Sequence, residues 1–343
     1  MTTSSTTLPA ATPAAPPPGV RLDWTPLALA PLLMLLAFPL IGSPSTWLTL
    51  TIAGLAMGII IFVVSSGLTL VFGLMDVLNF GHGAFIALGA YVAASVLLPL
   101  AGWVEADSLA LNLSVFALAI AAAMVAAGAV GLFFERVVVR PVYGQHLKQI
   151  LITMGGMIVA EQLIKAIWGP ETIALQVPTT FRGAVLLGDA AIEKYRLIAM
   201  ALGLVIFVAM LLLLNRTRIG LLIRAGVENR EMVEALGYRV RRLFVGVFVA
   251  GAALAGLGGV LWGLYQQNIT AAIGAQVNVL IFIVIIIGGL GSTTGCFVGA
   301  LLVGLMANYT GFLFPKVALF SNILLMMLIL LWRPQGLFPV ARR

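Results

Sequence analysis

Apolar stretches of roughly twenty residues recur along almost the whole chain, and nothing else restricts its possible folds so strongly. A helix of that length crosses the hydrocarbon core of a bilayer. Inside hydrocarbon, every backbone N–H and C=O must be satisfied within the protein. Only 9% of the 343 residues are charged and 62% are hydrophobic, with a mean hydropathy of +1.13. A soluble domain carries about 25% charged residues, so this chain has too little polar surface to wrap a water-soluble globule. The expected class is all-α, a polytopic transmembrane helical bundle.

Ten apolar runs are legible, over 26–42, 48–73, 77–102, 109–134, 149–168, 197–214, 243–265, 277–290, 297–313 and 317–332. The first is short and holds Pro26, Pro31 and Pro39. Ahead of it, residues 1–22 are rich in Thr, Pro and Ala without periodicity and read as a disordered tail; 23–343 form the membrane domain. No basic residue precedes Arg21, which argues against a secretory signal with a positive n-region. Ten spans put both termini on one side. Fourteen of the 19 basic residues then share that side, among them Arg136, Arg140, Lys148 and Arg333. Arg182, Lys194, Arg196 and Lys316 lie on the other, and this asymmetry places the termini in the cytoplasm.

The net charge of +7 does not imply a nucleic-acid partner, because the positive residues sit in short loops beside spans. The lone Cys296 excludes an intrachain disulfide, and with only two histidines, His82 and His146, no metal site is expected. No nucleophile–base pair is evident either, so an enzyme is not expected.

The longest charged connection is 215–242, with seven arginines and three glutamates. Ile219, Leu222, Ile223 and Val227, then Met232, Val233, Leu236 and Tyr238, alternate with charge at helical spacing. Gly226 and Gly237 would end two short amphipathic helices. Such a helix suits either a groove on a soluble partner or an anionic lipid surface.

Other polar constellations interrupt the apolar runs. In 72–84 Asp76, Asn79 and His82 stand among Gly73, Gly81 and Gly83. This is either a broken segment lining a transport path or an interfacial turn capping the next helix. The run 288–295, GGLGSTTG, lacks the Lys-Ser/Thr ending of a phosphate loop and reads as a tight connection between packed helices. Residues 265–270, with Gln276 and Asn278 beyond them, gather uncharged polar groups at an extracytoplasmic helix end. Glu161 and Lys165 share a helix face and offset each other's charge, as a structural pair or a proton relay. Small residues, including the pairs Gly295/Gly299 and Ala300/Gly304, let helices approach closely, in this chain or against a second copy. The 28-residue stretch 169–196 between spans could fold as short strands or a lid.

Taken in order, VLNFGHGAFIALGAYVA, ENREMVEALGYRV followed by FVAGAALAGLGGVL, GGLGSTTGCFVGALLVG and WRPQGLF resemble the membrane permeases of branched-chain amino acid ABC importers. The resemblance runs over about 48–338 and departs at Ala84, where many such permeases carry an acid. It implies a permease subunit in the bacterial inner membrane that moves branched-chain or related amino acids inward. Its implied partners are a second homologous permease, two cytoplasmic ABC ATPase subunits that bind the ATP, and a periplasmic binding protein. It needs no cofactor of its own. Glu234-Ala235 with Gly237 is similar to part of the coupling signature of importer permeases, and ATPase coupling is expected at Arg224, Glu228, Glu231, Glu234, Ala235 and Gly237. The substrate path is expected at Ser66, Asn79, Gly81, His82, Gly83, Gln266 and Asn268. Importers of urea, amides or aromatic acids use similar permeases. A self-sufficient carrier or channel is the rival class, though it would normally need ionisable groups near the midplane, which are scarce here.

Overall fold

A computed structural model describes residues 25–228 and 230–339, so the tail 1–22 lies outside the described residues. Ten apolar helices are present among those described. Six are long and apolar enough to cross a membrane: α2 (Pro44–Met75), α5 (Leu109–Phe134), α6 (His146–Trp168), α7 (Lys194–Arg216), α10 (Val240–Gln266) and α12 (Thr293–Leu313). Four are shorter: α1 (Thr25–Ile41), α3 (His82–Leu97), α11 (Ile273–Gly288) and α13 (Ala318–Trp332). The remaining helices are α4 (Ala101–Glu105), α8 (Arg218–Glu228) and α9 (Arg230–Ala235). The stretch 169–196 contains strands β1 (Ile173–Ala174), β2 (Ala184–Leu187) and β3 (Ala190–Glu193). β2 and β3 form a hairpin, while β1 pairs antiparallel with β4 (Asn268–Ile269) beyond the end of α10.

Helix α2 is the axis of the bundle, and from Ile59 to Phe72 every residue is buried. It packs on α12, α10 and α7. The approach is close because small residues meet: a side chain on Gly67 would overlap the Gly251 carbonyl of α10, and Gly58 lies against Ala300 and Gly304 of α12. Gly295 and Gly299 likewise seat α12 on α11. These small-residue faces are therefore used within this chain.

The short lengths of α3 and α11 have a common cause. α2 ends at Met75 with Asp76 in the left-handed region (φ 52°), and α10 ends at Gln266 with Gln267 in the same conformation (φ 58°). A non-helical segment follows each, then a 16-residue helix, α3 from His82 and α11 from Ile273. Asp76 and Gln267, His82 and Ile273, and Leu97 and Gly288 are all 191 residues apart, and so are Gly67 and Gly258, and Gly83 and Gly274. α2 and α10 run antiparallel, since Gly67 meets Gly251 while Val64 meets Gly258. The two helix–break–helix units are thus inverted repeats, a common plan among transporters. They touch reciprocally: a Cβ on Gly83 would strike the Gly274 carbonyl, and one on Gly274 the Gly83 carbonyl. The starts of α3 and α11 face each other across this contact.

In the charged connection, Gly226 does not end a helix, contrary to the reading from spacing. It lies inside α8, packed against Val240, which takes up its missing side chain. Gly237, with φ 88°, does follow the end of α9.

Candidate functional site

The first break, 76–81, leaves the arginine-rich face and turns back along α2. The His82 ring reaches α2 at Gly67 and at the Val64 carbonyl (3.2 Å to Nε2), about two to three turns above Met75. The backbone of the break therefore runs inside the bundle, where an unsatisfied polar group costs several kcal/mol (about 2–7). Side chains from distant helices supply the partners. The Phe80 N–H donates to Thr153 Oγ1 of α6 (3.1 Å), and the Phe80 carbonyl accepts from Asn278 Nδ2 of α11 (2.9 Å). Asn79 Oδ1 accepts from the Gly81 N–H (3.0 Å). The Phe80 ring stacks on Phe282 at 4.3 Å. At the mouth of the break, His146 Nε2 lies 3.9 Å from Asp76 Oδ2.

Five of the expected path residues come together here. Ser66, Asn79 and His82 are all buried, and Gly81 and Gly83 sit in contacts too close for any side chain. Ser66 Oγ donates to the Val63 carbonyl of its own helix (2.7 Å). Asn79 Nδ2 is buried and has no hydrogen-bond partner among the described residues. Gln266 and Asn268 are placed elsewhere: both are exposed at the opposite rim, where Asn268 pairs with Ala174.

Asn278 was expected at a helix end. It lies instead within α11, buried, with Oδ1 unpartnered among the described residues, and helps to hold the first break. Thr153 was not singled out from the sequence at all. The signal that could have located this neighbourhood is the 191-residue spacing of Gly67/Gly258 and Gly83/Gly274. Glu161 and Lys165 pair at 2.7 Å on a partly exposed part of α6.

On the arginine-rich face, α8 lies against α7, α10 and α2, and α9 against α8 and α10. Ile223 and Val233 are their buried anchors. Glu234, Ala235 and Gly237 are exposed beside them. The side chains of Arg224, Glu228 and Glu231 lie outside the described residues.

The family described as "Branched-chain amino acid transport system / permease component" matches residues 50–332. The chain is 28% identical over 293 residues to the high-affinity branched-chain amino acid transport system permease protein BraD of Pseudomonas aeruginosa, covering 83% of this chain and 93% of that protein. It is 29% identical over 300 residues to the Escherichia coli K12 permease LivH, covering 83% and 92%. A second Escherichia coli K12 permease, LivM, is 28% identical over 345 residues, covering 92% of this chain and 75% of that one. No solved structure matches. The inverted repeats, the buried polar break and these relatives agree: the chain belongs to the branched-chain amino acid transport system permease family, as a multi-pass helical membrane protein.

Proposed function

We propose that this chain is the permease subunit of an ATP-driven importer that carries branched-chain or related amino acids across the bacterial inner membrane. One observation carries the coupling half of this reading. The exposed segment bearing Glu234, Ala235 and Gly237 is pinned by Ile223 and Val233 against the bundle, and α8 touches both α2 and α10. Those two helices lead into the two breaks. A displacement of α8 and α9 by a soluble partner therefore acts directly on the helices that flank Asn79, His82 and the Gly83–Gly274 contact.

In this reading two cytoplasmic ATPase subunits bind the ATP and grip the α8–α9 face. A second homologous permease completes the membrane unit, and a periplasmic binding protein docks at the rim that carries Gln266 and Asn268. The chain itself performs no chemical step. ATP shifts the conformational equilibrium only by the difference in its affinity for the two states of the complex. Asn79, whose donor is unpartnered among the described residues, and the short helices starting at His82 and Ile273 form the polar interior through which the substrate passes.

The test is to tag the chain, express it with its genomic neighbours, extract it in mild detergent and identify what co-purifies. Recovery of ABC ATPase subunits and a second permease is the expected result. Recovery of the chain alone, active in liposomes without ATP, would overturn the importer reading.

A further inference from the structure

Where α5 ends, the helix widens into a π turn over Glu135–Val139 and tightens into a 3-10 turn over Arg140–Val142. Opposite stands the corner that joins α9 to α10. Between them opens a cleft of about 850 Å³. Five arginines line it: Arg136 and Arg140 from the first side, Arg239, Arg241 and Arg242 from the second. All five are exposed, and among the described residues none is in an ion pair. Against five guanidiniums the cleft offers two carboxylates. Glu135 is buried and accepts from the Tyr143 hydroxyl (3.1 Å), and Glu234 stands at the rim. Among the described residues the cleft therefore carries more guanidiniums than carboxylates.

We propose that this cleft binds the phosphodiester headgroup of an anionic membrane lipid. Three observations select a lipid over other acidic partners. The cleft lies where one membrane-crossing helix, α5, ends and another, α10, begins, with Glu234, Gly237 and Tyr238 completing its wall. On the membrane side of Arg136, Val130 and Phe133 of the same helix are exposed by 42% and 63%, a wall suited to an acyl chain. The planar guanidinium also matches phosphate oxygens with paired hydrogen bonds, and basic pockets between membrane helices on the cytoplasmic side hold anionic headgroups. The cytoplasmic assignment rests on the charge asymmetry of the loops and not on the importer reading.

The experiment uses the full chain alone, without ATPase subunits. Purified protein is stripped of lipid and titrated with phosphatidylglycerol or with phosphatidylcholine of the same acyl chains, and retained lipid is counted by native mass spectrometry. The expected result is preferential retention of phosphatidylglycerol, weakened roughly tenfold or more in Arg136→Gln/Arg140→Gln. The single variants Arg140→Gln and Arg241→Gln, each weakened to a smaller extent, keep the test open should the double variant fold poorly. Equal retention of the two lipids, or no effect of any variant, would overturn the proposal. Displacement of phosphatidylglycerol by inorganic phosphate would reassign the cleft to a soluble anion. Arginine-dependent capture of the ATPase subunits by lipid-free protein would reassign it to a protein dock.

Discussion

Asn278 shows how a single side chain keeps an irregular backbone inside an apolar bundle. Its Nδ2 satisfies the Phe80 carbonyl from 198 positions away in the sequence. Replacing it with leucine keeps the bulk and orphans that carbonyl. We expect Asn278→Leu to lose about 1–3 kcal/mol of stability, read as a lower melting temperature in detergent. Thr153→Val should act in the same direction through the Phe80 N–H, since its Oγ1 is the acceptor there. An unchanged melting temperature in both would mean that the break is not held by these bonds. Polar residues and glycines within 72–84 mark this stretch from sequence alone, as either a broken segment or an interfacial turn. Its supports are not legible in that way: Thr153 and Asn278 look like ordinary polar residues until the fold brings three helices together.

At the scale of elements, the Gly83–Gly274 contact lets the two half-length helices start against one another. A valine at either position has no room, because each glycine faces the other's carbonyl. Gly83→Val and Gly274→Val should each destabilise the protein by about 1–3 kcal/mol or more, as overpacked cores do. Gly155→Ala on α6 is the matched control. Nothing lies within 4 Å of the added methyl, so removing a helical glycine should be neutral or stabilising by up to about 1 kcal/mol. Equal loss in all three, measured by thermal melting, would argue against a specific contact. The apolar runs placed all ten helices from sequence, because hydropathy reports burial in lipid directly. They did not locate the start of α11, read at Val277 instead of Ile273, because Gly274, Ala275 and Gln276 dilute the apolar signal just where the half-helix begins. Gly226 misled for a related reason: a helix accepts glycine at modest cost when a neighbour, here Val240, fills the space.

At the scale of the whole molecule, the inverted repeats predict that the two breaks open to opposite sides. Cys296 is buried, so the natural chain offers no competing thiol. Tyr238→Cys should react with an impermeant thiol reagent only from the cytoplasmic face, and Asn268→Cys only from the other; labelling of both from one side would contradict the topology. The expected sidedness rests on the charge distribution of the loops. The pairing of the two units was not legible in the sequence, because only a few glycines at the 191-residue spacing survive as a sequence trace. The central claim is that partner movement on the α8–α9 face drives the breaks. It is tested most directly by uptake of labelled leucine into proteoliposomes that contain this chain with its co-purified permease and ATPase subunits. The comparison is between the natural chain and Glu234→Ala/Gly237→Val, a change confined to exposed positions. We predict ATP-dependent uptake by the first and at least tenfold less by the second, with its melting temperature nearly kept (a loss within about 1–2 kcal/mol, the strain of a side chain at the left-handed Gly237). Undiminished ATP-driven uptake by the double variant, or uptake by the natural chain without ATP, would contradict the account.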